Sequence, residues 1–317
     1  HLSLRRQRQM CIRDRGGTAP KSNAGQFDVR GWEFSLGYRG EVGKFKYSVS
    51  ANMSDTRNKI TSMKNANVIR PGLNSTANSY NVEGYPINSY FMYETAGFFQ
   101  NQEQVDAYYD TYGGKGDLAA LGTDQTRLRP GDIIKVDRNG DGVINQEDLK
   151  FVGDAAPHYV YGLNLTGQYG GLDITAFFQG VLEQDIQRIG YMAYPFATLY
   201  TNQTTAYIGK TWTEQNTGAA FPRMTANLDR AKWNWLNNDF ALQNNRYIRM
   251  KSLVVGYTLT DLKVADYTIP KVRLYFSGND LFEFTKVKDG YDPEFGESSN
   301  TTYPYNRTWS LGLNVTF

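Results

Sequence analysis

A chain of 317 residues with a mean hydropathy of −0.56 is long enough for a substantial core, and no run of about 18 apolar residues supplies a transmembrane helix. The formal charge is +2, but His1 to Arg15 alone carries five Arg and one Asp, so the remainder is slightly acidic and offers no clustered basic footprint for nucleic acid. The single cysteine, Cys11, excludes a disulfide framework and a cysteine metal site, while 23 Tyr, 17 Phe, 5 Trp and 31 Gly describe apolar residues dispersed singly among turns, as in two-faced strands.

Residues 1–26 form an atypical leader. The arginine-rich HLSLRRQRQMCIRDR has no apolar stretch of about seven residues, so it is not a secretory signal. Two readings stand: an unrelated start on an incomplete coding sequence, or a basic tail that binds a partner.

The pattern begins after Gly31. Trp32, Phe34, Leu36 and Tyr38 alternate with polar or small residues, Gly40 to Gly43 turns, and Phe45, Tyr47, Val49, Ala51 and Met53 alternate again. A long hairpin is predicted. Residues 57–156 then break the rhythm, with one aromatic strand-like piece at Tyr90 to Gln100 and a helix expected around Asn101 to Tyr109. A connection of that length is functional or separately folded. The hairpin pattern returns from Tyr159 to Leu165 and from Leu172 to Phe178 around the turn Tyr169-Gly170-Gly171, and a second long connection runs over 183–244. Strands follow over Tyr247 to Leu259 and Val272 to Phe284, separated by a turn from Asp261 to Pro270; after a loop over 285–304, a last strand alternates Trp309, Leu311, Leu313, Val315 and Phe317 with polar or small partners.

Seven long strands thus have short turns near residues 42, 170 and 265 on one side and long connections over 57–156, 183–244 and 285–304 on the other. A soluble β-sandwich explains alternation within each strand but not this strict alternation of connection lengths. An outer-membrane barrel explains both, because its periplasmic turns are short and its extracellular loops long. Such barrels have even strand numbers from eight upward, and an open sheet in lipid leaves backbone groups unpaired at its edges. The expected fold is therefore all-β: an incomplete antiparallel transmembrane β-barrel, with residues 27–317 as the carboxy-terminal part of a larger one.

Asp137 to Asp148 reads D-x-N-x-D-G-x-x-N-x-x-D, a loop of hard oxygen ligands. Asp137, Asn139 and Asp141 hold positions one, three and five, Gly142 gives the sharp turn, Val143 offers a carbonyl, Asn145 stands at nine and Asp148 at twelve. An Asp replaces the usual Glu at twelve. No long helix enters this loop, so the expectation is a structural Ca2+ staple and not a sensor. The second connection carries Tyr191, Tyr194, Tyr200, Tyr207, Trp212, Trp233 and Trp235, aromatics that either stack on sugar rings, contact a protein lid, or pack the loop on itself. Tyr207, Trp212, Trp233 and Trp235 are the candidates for substrate or lid contact. His1 and His158 are the only histidines, and no nucleophile–base motif or paired-carboxylate signature stands out, so no enzyme activity is expected.

Particular residues carry a resemblance. Pro130-Gly131-Asp132 leading into Asp137 to Gly142, Tyr161-Gly162-Leu163-Asn164, Phe177-Phe178-Gln179-Gly180, Arg249-Met250-Lys251-Ser252-Leu253 with Gly256-Tyr257, Gly278-Asn279-Asp280-Leu281-Phe282, Gly290-Tyr291-Asp292-Pro293-Glu294 and the closing Gly312 to Phe317 resemble, in this order, the SusC/RagA family of TonB-linked outer-membrane transporters. The resemblance implies about seven strands of a 22-stranded barrel in a bacterial outer membrane, about the last third of a family member. It further implies energised import of glycan oligomers or peptides, a SusD-like surface lipoprotein as lid, and TonB acting through a plug domain outside this chain. A secreted, calcium-binding β-rich adhesion or glycan-binding module is the alternative function.

Overall fold

The computed structural model describes residues 25–63, 80–187, 205–287, 292–295 and 306–317. The leader with Cys11, and Tyr191, Tyr194 and Tyr200, lie outside the described residues. Strands β1 (Gln26–Val42) and β2 (Phe45–Ser62) form the first hairpin. A first insertion follows, with β3 (Ser89–Met92), β4 (Thr95–Phe98), helix α1 (Gln102–Tyr112), β5 (Ile133–Lys135) and β6 (Lys150–Asp154). After it come β7 (His158–Tyr169) and β8 (Leu172–Glu183), and then a second insertion with β9 (Asp185–Gln187), helix α2 (Leu228–Trp235) and β10 (Leu242–Asn244). The chain finishes through β11 (Tyr247–Val264), β12 (Tyr267–Asn279), β13 (Glu283–Thr285) and β14 (Thr308–Thr316).

The seven long strands pair antiparallel in chain order, β1-β2-β7-β8-β11-β12-β14, and β13 adds to the start of β11. The sheet is open, with β1 and β14 as its edges among the described residues.

Register explains the two faces. Residues directly opposite in neighbouring strands share a face, because side chains alternate with period two. One face therefore carries apolar rows, such as Tyr38–Val49–Leu165–Ala176–Leu253–Gly278–Trp309 and Leu172–Tyr257–Leu274–Leu313. The other carries polar rows such as Ser48–Thr166–Thr175–Val254–Ser277–Ser310. The apolar face is bare: Leu311 is 86% exposed and Leu313 59%. Trp309 and Phe317 are eight residues apart, about 26 Å along an extended strand, close to the roughly 25 Å apolar band of a membrane barrel. The polar face is tied across strands. Gly256 has no side chain to block Arg273, which reaches from β12 over β11 to Asp173 on β8, with Nε 3.1 Å from Oδ1 and Nη2 2.6 Å from Oδ2.

Several expected boundaries move, beginning with the first hairpin, where β1 starts at Gln26 and β2 runs on to Ser62, into the connection expected over 57–156. The turn expected from Asp261 to Pro270 is only Ala265 and Asp266, with β11 and β12 pairing out to Val264 and Tyr267. Pro270 sits inside β12, one residue beyond the last pair with β14 at Lys271–Thr316, where the ladder with β11 skips a pair between Thr260–Lys271 and Leu262–Ile269. The aromatic piece at Tyr90 to Gln100 is two strands, β3 and β4, which pair with different partners, β6 and β5. The helix starts one residue later than expected, with Asn101 as its N-cap accepting from the Gln104 N–H at 2.9 Å, and continues to Tyr112.

The packed core lies off the sheet. Tyr93, Phe99, Val105, Tyr108, Leu118, Leu121, Leu128 and Ile144 of the first insertion enclose Trp233 of the second. The two insertions thus form one body at the long-connection rim of the sheet.

Candidate functional site

The Asp137–Asp148 loop leaves β5 and enters a short 3-10 turn over Gln146–Asp148 before β6. Short polar side chains fold it by accepting from nearby backbone N–H groups. Asp137 accepts from Gly140 at 2.7 Å and Gly142 at 2.9 Å, Asn139 Oδ1 from Asp141 at 3.0 Å, and Asp141 Oδ1 from Val143 at 2.8 Å. Gly140 and Gly142, at φ of 74° and 76°, take the left-handed backbone this winding needs. Fully buried Asp148 closes the loop, accepting from Arg138 at 2.9 Å through one oxygen and from Asn145 at 2.9 Å through the other. Asn145 caps the 3-10 turn by accepting from the Glu147 N–H at 2.7 Å. Among the described residues no group of three or more His, Cys, Asp or Glu side chains converges closely enough to hold a metal ion.

Tyr207, Trp212, Trp233 and Trp235 are all buried, so the rings build the interior of the inserted body and do not form its outer surface. Trp233 donates from Nε1 to the Ile133 carbonyl at 2.8 Å. Trp235 stacks on Phe221 at 5.6 Å between centroids, and Tyr207 meets both edge-on. Trp212 lies against Gly131, whose φ of 92° and missing Cβ leave room for the indole. The next residue, Asp132, is fully buried, accepts from Asn234 Nδ2 at 2.7 Å and from the Arg129 N–H at 2.8 Å, and has its carboxyl pushed up by burial. Pro130-Gly131-Asp132 is therefore where the second insertion is fastened to the first. Lys135 is enclosed nearby, its Nζ 3.9 Å from the Tyr93 ring centroid and 4.3 Å from that of Trp233.

Two ionic groups escaped sequence reasoning. Arg249, almost fully buried, places Nη2 2.7 Å from Asp292 and Nη1 3.1 Å from Glu294, while Lys251 pairs with Glu294 at 3.0 Å and Asp280 at 2.8 Å. These bonds hold Pro293–Phe295 of the last connection down on the start of β11. The motifs containing Arg249, Asp280 and Asp292 were visible separately, and their mutual attraction was not. Where β2 and β7 part beyond the Ser54–Val160 pair, Asp55 sits 2.7 Å from His158 Nδ1 and 2.9 Å from Arg57 Nε. The available signal was a break in alternation, with buried Asp55 following Met53 on the apolar side of β2 and standing opposite Trp32.

No protein-family model matches the chain. It is 27% identical over 321 residues to TonB-dependent receptor P3 of Formosa agariphila, covering 95% of this chain and 30% of that protein. Over 308 residues it is 25% identical to TonB-dependent receptor SusC of Bacteroides thetaiotaomicron, covering 93% of this chain and 27% of SusC. Among solved structures it superposes on the RagAB peptide transporter with a TM-score of 0.68 at 20% identity, over 93% of this chain and 29% of the other. The RagAB peptide importer in its closed-closed state gives 0.64 at 21% identity, over 92% of this chain and 30% of the other. The chain is thus related along nearly all its length to TonB-dependent receptors including SusC, and it spans about 30% of the length of the first of them.

Proposed function

We propose that this relative of the SusC and RagA receptors is the carboxy-terminal part of a 22-stranded outer-membrane barrel that imports glycan oligomers or peptides. The observation that carries the reading is the bare apolar face, which repeats across seven paired strands opposite a polar, cross-braced face. A water-soluble fold does not expose a contiguous apolar surface of that extent, whereas a barrel wall puts it in lipid and turns the polar face to the lumen. The short-turn rim is then periplasmic, and the inserted body stands outside the cell. TonB supplies energy through a plug domain outside this chain, and a SusD-like lipoprotein closes over the inserted body.

In this reading the loop from Asp137 to Asp148 would hold a structural Ca2+ through Asp137, Asn139, Asp141, the Val143 carbonyl, Asn145 and Asp148, with side-chain oxygens turning to the ion from the backbone N–H groups they accept from. The hard-oxygen donor set and the left-handed glycine after Asp141 support that role. The ion's charge would brace β5 against β6 at the foot of the shared core.

The transport reading is tested on the full-length protein, tagged at an exposed loop and extracted from outer membranes with detergent. A surface lipoprotein is expected to co-purify, and deletion of the receptor gene is expected to abolish uptake of a fluorescent oligosaccharide or peptide. Recovery as a secreted, water-soluble monomer would contradict the proposal.

A further inference from the structure

The roots of the inserted segments meet in one charged knot. Asp55 and Arg57 lie on β2 just past its last pair with β7, Ser54–Val160, and Asp154 and His158 lie where the first insertion returns. Glu183 and Asp185 lie where the second insertion departs, and β10, which pairs with β9 through Asn244 and Asp185, leads it back. Neutral hydrogen bonds tie the same place: Gln184 Nε2 donates to the Ala155 carbonyl at 2.9 Å, and Asn245 Nδ2 donates to Gln184 Oε1 and to the Pro293 carbonyl, each at 2.7 Å. Through Pro293 the third connection joins the other two.

The charges in this knot are unbalanced. His158 turns Nδ1 to Asp55 at 2.7 Å and Nε2 to Asp154 at 3.4 Å, and Arg57 reaches Asp55 at 2.9 Å and Glu183 at 3.5 Å. Four carboxylates therefore face one guanidinium and one imidazole. Asp185 receives least: it lies against Gly153, where a Cβ would overlap its Oδ2, and it faces the like charges of Asp154 and Glu183. We infer that the knot is an acid-tightened joint, in which proton uptake by Asp185, set beside Asp154 and Glu183, draws the roots of the insertions together against the sheet.

Burial and the two neighbouring carboxylates push the Asp185 carboxyl up to about 6, with His158 opposing them. The folded value is raised, so protonation stabilises the joint, and that contribution fades as pH rises through about 6. The charged groups at the joint are Asp55 and Arg57 on β2, Asp154 on β6, His158 on β7, Glu183 on β8 and Asp185 on β9, while β10 brings none. An acid-tightened joint would stiffen the extracellular body in acidic surroundings and loosen it near neutrality.

Hydrogen exchange on the full-length protein in detergent tests this, using protection factors that divide out the intrinsic pH dependence of exchange. Between about pH 7.5 and about pH 5.5, protection over 150–158 and 183–187 is expected to rise about fourfold, the change one carboxyl titrating near 6 provides. Asp185→Asn is expected to be protected equally at both pH values, and His158→Gln to keep most of the rise. Unchanged protection in the unmodified protein would overturn the inference, as would a full pH response in Asp185→Asn.

Discussion

Lys135 is fully buried among the rings of Tyr93 and Trp233, and its Nζ has no hydrogen-bond acceptor among the described residues. Burial pushes its amine down to about 7, while the two ring faces favour the charged form. A folded value below the unfolded one means that the ammonium costs stability, fully so below about 7, and that the cost disappears above the unfolded value. Lys135→Met keeps the chain length and removes the charge. It is expected to stabilise the inserted body by about 1–3 kcal/mol in mildly acidic buffer and by less as pH rises, measured by chemical denaturation followed through Trp233 fluorescence. A net loss of stability would mean that the aromatic cage outweighs desolvation. Nothing in the sequence marks Lys135 as a caged cation, because its partners lie 42 and 98 positions away and a single Lys between Ile134 and Val136 reads as the solvated face of a short strand.

At the scale of elements, the long strands were legible because alternation needs only neighbours in sequence, and Trp309 to Phe317 shows it without interruption. The turn before β12 was misplaced because Pro270 is a turn residue by preference, and only the register shows that it sits beyond the last pair with β14 and where the ladder with β11 skips a pair. The second insertion was least legible. Its Trp and Tyr residues are compatible in sequence with a binding platform or a core, and the burial of Tyr207, Trp212, Trp233 and Trp235 emerges only once the first insertion supplies partners such as Ile133, Tyr93 and Gly131. The Asp137–Asp148 loop was legible as a loop, since its spacing places each short acceptor beside a backbone donor, as with Asp141 and Val143. Calorimetric titration of the full-length protein is expected to show one Ca2+ site that Asp141→Ala weakens at least tenfold; no binding by the unmodified protein would leave the loop as a hydrogen-bonded turn alone.

At the scale of the whole molecule, the exposed apolar face and the inserted body divide the labour. The sheet has little core of its own, and in the proposed barrel its stability would depend on lipid on one side and on closure by further strands at β1 and β14. The body above it has an ordinary packed interior, contributed by both insertions and fastened at Pro130-Gly131-Asp132. Cargo handling in the proposed importer therefore falls to the outer surface of that body and to the polar face of the wall, and the knot at Asp55, His158 and Asp185 sets how rigidly the two are joined. The claim beneath all of this is that the apolar face lies in hydrocarbon. Spin labels placed singly at each residue from Trp309 to Val315, in the full-length protein reconstituted into bilayers, measure it most directly. Trp309, Leu311, Leu313 and Val315 are expected to be accessible to dissolved oxygen and shielded from a polar nickel complex, with Ser310, Gly312 and Asn314 showing the reverse. Uniform access of the nickel complex along the strand would contradict the account.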